Sequence, residues 1–409
     1  MSLASLKLAA VGPKRKSGAQ PIEYSLLLTA TLCLLAFGVV MVFSASSTTS
    51  LLSQSGDSAY YLKRTVLFGA VGLVIMKVLA ARGLRAVSAI TPAILVASIG
   101  LLFVVLLPGV GLEANGARRW IGAGLFQVQP SEVAKVALVL YGAYMLTRQP
   151  RMVRSVREMT PYLTAVGIVC LLVVMEPDLG TAMVACFTAA ALLTAAGARM
   201  RDLALIAGAI GFVVLLAVLL EPYRMARLTG FLDPTSDPSG AGFQAIQAKI
   251  ALGSGGVFGV GLGESLQKAF YLPEAHTDMI AAVIGEELGF VGITVLVGLY
   301  GLFGYAGLRT AQRARDRYGK LLAAGLTSLV MVQAVVNLFA VLGLAPLTGV
   351  PLPFVSYGNS SMLVMLAAVG LLLNVAAGGT SGIKAVSQAP ARRTSARAGR
   401  DARLRVAGA

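Results

Sequence analysis

Apolar residues fall in runs of roughly 18 to 25 along this chain, which is the length a helix needs to cross a hydrocarbon core about 30 Å thick. Runs of that length are membrane spans and not buried core helices. They predict spans at 22–45, 62–80, 87–107, 130–147, 161–175, 179–197, 203–220, 278–306, 320–343 and 354–376. The fifth is short. The eighth opens with polar residues and reads as a loop or half-helix that runs into a span. The expected fold is all-α, a polytopic membrane protein with about ten transmembrane helices. A large extracytoplasmic loop, 221–277, lies between spans seven and eight.

Charge gives the orientation, because short cytoplasmic loops collect Lys and Arg. With the N-terminus inside, cytoplasmic segments hold 24 of the 34 basic residues and exported segments hold eight. The exported eight are Lys63, Arg64, Arg118, Arg119, Arg224, Arg227, Lys249 and Lys268, while Lys77 and Lys135 fall inside spans. Every other loop is basic, which ten spans explain and nine would scramble. Both termini are therefore expected in the cytoplasm, as tails over 1–21 and 377–409 around one membrane domain, 22–376. The net charge of +16 follows from this arrangement and from a tail with seven basic residues, so it does not imply nucleic acid. The tail reads as disordered chain held near anionic lipid. The basic N-terminus followed by an apolar stretch is too long for a signal peptide and reads as an uncleaved span. Three cysteines, all in apolar spans, and a single His predict neither a disulfide framework nor a multi-histidine metal site.

The polar residues outside the basic loops are concentrated on the exported side. A long connection without a fold of its own is usually functional. Within 221–277, two Asp-Pro pairs initiate turns, and a glycine-rich run spans Gly253 to Glu264 without matching the dinucleotide-binding spacing. These glycines either let a re-entrant segment pack closely on helices or contact a ligand. The connection ends in Glu274, His276, Thr277 and Asp278 beside an apolar run. A carboxylate held there can act as a general base, and the same residues can cap the helix that follows. Glu132 and Lys135, three apart, share a helix face and are expected to form an internal ion pair. Glu176-Pro177-Asp178 breaks an apolar stretch, tolerated only where the break is protein-buried or lines a cavity. Glu286 and Glu287 lie at the head of the eighth span. Arg118, Arg119 and Trp120 stand on the exported side against the charge rule, either as an interfacial anchor or as a clamp for an anionic lipid group.

Six segments together resemble the SEDS family (shape, elongation, division and sporulation), membrane glycosyltransferases that polymerise lipid II. They are GVVMVFSASS at 38–47, GARRWIGAGLFQVQPSEVAK at 116–135, EPDLGTA at 176–182, YRMARLTGFLDPTSDPSGAGFQ at 223–244, the run from Ala251 to Gly289, and PLTGVPLPFVSYGNSS at 346–361. The run QKAFYLPEAHTD is similar to the division and sporulation branch, whereas the rod-elongation branch more often has Gln at the place of Ala275. Ala281 and Asn359 depart from the family's usual Phe and Gly, and neither removes a charged group.

The resemblance implies that Asp278 is the catalytic residue, with Arg118, Arg119, Trp120, Arg224, Lys249, Lys268, Glu274 and His276 around the substrate. Glu132, Lys135, Glu176, Asp178 and Glu286 would shape the cavity. It implies lipid II and undecaprenyl-diphosphate-linked glycan as substrates, and a class B penicillin-binding protein transpeptidase and other division proteins as partners. The setting would be the bacterial cytoplasmic membrane, at the septum. Cationic side chains or a divalent ion, Mg or Mn, would offset the charge of the leaving diphosphate. A lipid II flippase and a non-catalytic scaffold are the rival readings. The gathering of polar residues on one side favours the enzyme, since a transporter needs access from both.

Overall fold

The structure is a computed structural model that describes residues 20–52, 56–82, 84–114, 117–124, 126–219, 222–240 and 242–383. The chain begins with α1 (Ile22–Leu52), α2 (Tyr60–Arg82) and α3 (Leu84–Leu106). Strands β1 (Leu112–Ala114), β2 (Ala117–Ala123) and β3 (Phe126–Val128) follow, then α4 (Pro130–Arg148), α5 (Val156–Met175), α6 (Leu179–Ala196) and α7 (Met200–Leu219). The long connection carries α8 (Pro222–Leu232), α9 (Phe243–Ser254) and α10 (Gln267–Phe270), and the chain closes with α11 (Ile280–Arg313), α12 (Arg317–Val341) and α13 (Asn359–Ala376). Eight of these helices, α1 to α3, α5, α6 and α11 to α13, are long and apolar enough to cross a membrane. Helices α4 and α7, of 19 and 20 residues, stand where the other two spans are predicted. The protein is a multi-pass helical membrane protein.

Where the observed edges differ from the expected ones, local chemistry explains it. Helix α5 starts at Val156 rather than 161, because the Ser155 side chain caps it by accepting from the Glu158 N–H. Asp178 caps α6 in the same way, accepting from the Thr181 N–H at 3.0 Å and the Thr181 hydroxyl at 2.8 Å. Residues 112–128, expected as a loop, form a three-stranded antiparallel sheet in the order β1-β2-β3. The connection 221–277 is not bare loop, since it carries α8 to α10. Residues 354–358, expected as the start of the last span, are not helical. They belong to a segment, 342–358, that turns back into the bundle and buries Val350, Leu352, Phe354 and Val355.

Irregular backbone inside a membrane protein survives only where its polar groups find partners. Three side chains on neighbouring helices supply them here. The Asn337 amide donates to the Val350 carbonyl at 2.8 Å, the Gln333 amide to the Pro351 carbonyl at 3.0 Å and the Tyr300 hydroxyl to the Pro353 carbonyl at 2.5 Å.

Helix α12 packs on α4, α6 and α11 and forms the centre, with α1 against α11 and α2 along α13. On α2 and α13, Gly72 faces Leu366 and Gly370 faces the Met76 backbone, small residues of the kind that let membrane helices approach closely. Helix α7 lies at the margin, and none of its described side chains is buried. At the basic end, the Asp316 carboxylate caps α12 and accepts from the N–H and hydroxyl of Ser381, at 2.9 and 2.7 Å, tying residues after α13 to the bundle. The rest of the predicted tails, 1–19 and 384–409, lies outside the described residues.

Candidate active site

Helix length places the polar groups relative to the bilayer. Twenty residues cover about 30 Å. Counted away from the basic ends, they run from Ile22 to about residue 42 on α1, from Arg157 to the end of α5 at Met175, from Arg309 to about 289 on α11 and from Ala376 to the start of α13 at Asn359. Ser44, Glu176, Glu287 and Tyr357 therefore lie at one level, the hydrocarbon edge on the face opposite the basic loops. Asp278 lies beyond that edge, two residues after His276, whose carbonyl accepts from the Tyr357 N–H.

Asp278 is half-buried, two residues before the N-terminus of α11, where the helix dipole favours a negative charge. Its main chain is anchored, because the Asn337 amide that holds Val350 also donates to the Asp278 carbonyl at 2.7 Å. On the carboxylate side, the Thr277 hydroxyl lies 3.3 Å from Asp278 Oδ1 and donates to Glu274 Oε2 at 2.8 Å. Gly349, in the returning segment, faces the other carboxylate oxygen, and its φ of +67° is one that side chains resist. His276 joins an aromatic cluster, with its ring centroid 4.3 Å from Tyr61 and 5.7 Å from Tyr357. Burial pushes its imidazole below the ordinary value, with Glu274 acting in the opposite sense. Its carbonyl accepts from the Tyr357 N–H at 2.9 Å, so the same contact joins the Asp278 turn to the entry of α13.

The glycine-rich run has a structural task. At Gly289, with φ 64° and ψ −160°, α11 breaks. The break frees the carbonyls of Glu286 and Glu287 and the N–H groups of Phe290 and Val291, which an unbroken helix would pair with each other. The run partners all four groups. Val260 and Gly261 N–H donate to Glu286 and Glu287 at 3.0 and 3.1 Å, and Phe290 and Val291 N–H donate to Gly256 and Val257 at 3.0 and 3.1 Å. A Cβ at Gly255 or Gly259 would overlap the carbonyl oxygen of Gly285 or Glu287. Close backbone approach accounts for these two glycines.

Side chains lock the same junction. Lys268, on α10, reaches Glu287 at 2.6 Å, and the Ser44 hydroxyl donates to the Glu287 carboxylate while accepting from Lys268 at 3.2 Å. Glu286 accepts from the Ser265 hydroxyl at 2.5 Å and the Leu266 N–H at 3.1 Å. Nothing in the spacing of these residues announced the partnership of Ser44 with Glu287, 243 positions apart.

The other predicted residues divide by where their polar atoms go. Glu132 and Lys135 form a buried pair at 2.9 Å, with Lys135 also on Gln333 at 2.7 Å. Arg119, on β2, donates to the carbonyls of Glu176 and Pro177 at 2.9 and 2.5 Å, so it holds the turn between α5 and α6. Glu176 is buried in that turn with both carboxylate oxygens unpartnered among the described residues. Burial, and then the neighbouring Asp178, push its carboxyl up to about 8, and Arg119 opposes the shift. Arg118 is exposed and lies 3.4 Å from Glu113, and Trp120 is half-buried on the same strand. Arg224 is on α8, and its side chain falls outside the described residues.

Lys249 is exposed and lines a cleft of about 440 Å³ between α8, α9 and the end of α12, with Gln244, Asp237 and Leu347. Asp278 does not line it. The two flank one segment, however, since Leu347 faces the cleft and Gly349 faces Asp278. Gln244 also donates to the Pro273 carbonyl at 3.4 Å, joining the cleft wall to the turn that carries Asp278.

A family described as cell cycle protein, that of FtsW, RodA and SpoVE, matches residues 24–380. The chain is 43% identical to the probable peptidoglycan glycosyltransferase FtsW of Trichlorobacter lovleyi over 87% of its own length and 94% of that protein. It is 42% identical to the stage V sporulation protein E of Bacillus subtilis, over 86% and 96%. Among solved structures, a chain from a study of how a peptidoglycan synthase complex coordinates polymerization and crosslinking aligns with a TM-score of 0.71 at 33% identity, over 86% of this chain and 96% of that one.

Proposed function

Because the chain belongs to the SEDS family of FtsW, RodA and SpoVE proteins, we propose that it polymerises lipid II into β-1,4 glycan with Asp278 as the base. The acceptor is the GlcNAc 4-hydroxyl of lipid II, and the donor is the growing glycan on undecaprenyl diphosphate. The hydroxyl oxygen attacks the α-linked anomeric carbon as its proton passes to the Asp278 carboxylate. The bond from that carbon to the diphosphate breaks, and undecaprenyl diphosphate departs with the electron pair. One displacement inverts the centre and gives the β linkage.

The observation that carries the proposal is the position of Asp278. Its carboxylate stands just beyond the hydrocarbon edge, where the diphosphate of a membrane-anchored sugar resides, on a turn fixed by Asn337 and Tyr357. Arg118, Lys249 and Arg224 are the cations proposed to meet the diphosphate, since Lys268 already offsets Glu287. Among the described residues no cluster of three His, Cys, Asp or Glu could hold a metal. Glu274 and Asp278, joined through Thr277, still suit a divalent cation that takes its other ligands from phosphate oxygens. Such an ion would neutralise diphosphate charge.

The relatives named FtsW and stage V sporulation protein E support a role in division rather than elongation. The face bearing Asp278 is then exported, both termini are cytoplasmic, and the membrane is the bacterial cytoplasmic membrane at the septum. The partner is a class B penicillin-binding protein, as the resemblance to a chain from a synthase complex supports. The test is purified protein with lipid II, with and without that partner, read for glycan polymer. Asp278→Asn is expected to lose about 100- to 10,000-fold in rate. Full polymerisation by that variant would overturn the role of Asp278, and lipid flipping without polymer would overturn the transferase.

A further inference from the structure

We propose that the glycine-rich segment 255–263 is seated in the bilayer, with the side chains of Val257, Phe258, Val260 and Leu262 in the acyl chains of the leaflet on the Asp278 side. The segment is bonded to Glu286, Glu287, Phe290 and Val291, and α11 crosses the hydrocarbon edge at about residue 289. It therefore lies at that edge and not above it. Phe258 is 83% exposed, and Val257, Val260, Leu262 and the following Leu266 are exposed with it. In water such a patch would be costly to leave uncovered.

Two independent features fit lipid as the covering. The first is the backbone. Backbone groups at this depth lack water as a partner, and those that meet α11 have protein partners: the carbonyls of Gly256 and Val257 and the N–H groups of Val260 and Gly261 bond to α11, while the Gly259 N–H bonds to the Gly255 carbonyl within the run. The second is composition and continuity. The nine residues from Gly255 to Gly263 include no charged or hydrogen-bonding side chain, and Glu264 follows at once. Below the segment, the exposed apolar surface continues down α11 through Phe290, Val291, Val295 and Leu308, which faces lipid because α11 is a span. The segment thus extends the lipid-facing surface of α11 by one layer. Binding of this interfacial kind scales with the apolar area inserted. The seat rests on helix geometry and holds whichever reaction Asp278 performs.

The test places an indole at the tip. In full-length protein carrying Trp120→Phe, which removes the natural Trp, Phe258→Trp is reconstituted in vesicles whose lipids carry bromine at defined acyl carbons. The expected result is strong loss of emission with bromine on the upper chain, smaller loss with bromine near the chain end, and little loss with aqueous iodide. Leu262→Trp repeats the measurement should the first variant fold poorly, with monodisperse elution as the check. Quenching by iodide and not by brominated lipid would overturn the seat. Protection from both would mean that a second copy covers the segment, and would overturn it as well.

Discussion

The Lys268 ammonium stands 2.6 Å from Glu287, with both side chains buried and the Ser44 hydroxyl bonded to the pair. Three distant parts of the chain meet there: α1, the connection before Asp278, and the first half of α11. A buried pair adds little by its presence, but removing one partner strands a charge, at about 3–5 kcal/mol. Lys268→Met and Glu287→Leu should each lower the unfolding midpoint in detergent strongly, while the double variant recovers much of the loss. A double variant as unstable as the sum of the singles would refute the pairing.

Asn337 gives the site a second point of control. One amide serves the Asp278 and Val350 carbonyls, so Asn337→Leu leaves two acceptors without their donor, each worth about 1–3 kcal/mol where buried. The variant should lose stability and also polymerisation rate, because the Asp278 turn is released from α12. Polymer yield per folded molecule, compared with a core variant of equal stability such as Leu326→Ala, separates the two effects. Equal yields would confine Asn337 to stability.

How much of this was legible in the sequence follows from the range of each interaction. The spans were readable because hydrophobic length is a local property, and Glu132 with Lys135 because three residues on a helix are neighbours. The sheet at 112–128 was missed because two of its strands are only three residues long and all three gain their order from pairing with one another. Arg119 read as a candidate phosphate clamp, whereas its observed acceptors are carbonyls 57 and 58 residues away. Residues 354–358 of the returning segment read as the start of the last span because their apolar residues lead directly into α13. What turns the segment inward is three side-chain amides and hydroxyls on other helices, and no pattern within it reports them.

Glu176 predicts a pH dependence. Its carboxyl, ordinarily near 4.5, is raised to about 8 by burial and by Asp178. The unfolded chain thus releases this proton at a lower pH than the folded one. The folded state is favoured most below about 4.5, and stability declines as pH rises from there towards 8, by a few kcal/mol at most. Glu176→Gln cannot ionise and should flatten this part of the profile. Unfolding midpoints of both proteins between pH 5 and 9 check it, and parallel profiles would show that Glu176 is not the titrating group.

The glycines of the run should differ sharply in their tolerance of a methyl group. Gly255 has an ordinary φ of −71°, so alanine there is not strained by its backbone. Its Cβ would nonetheless collide with the Gly285 carbonyl, in the stretch of α11 just ahead of the break. Overpacking of that kind costs about 1–3 kcal/mol. Gly253, two residues earlier on α9, has no neighbouring atom within 4 Å of the corresponding position, and alanine is the better helix former by about 1 kcal/mol. Gly255→Ala should therefore destabilise, and Gly253→Ala should be neutral or stabilising. Thermal unfolding in one detergent, with glycan synthesis measured alongside, distinguishes them. If Gly255→Ala pushes the run away from α11, the four exchanged hydrogen bonds open together and the turn carrying Asp278 loses the support of α10, so activity should fall with stability. Equal tolerance at both positions would mean that the run does not approach α11 as closely as the exchanged bonds require.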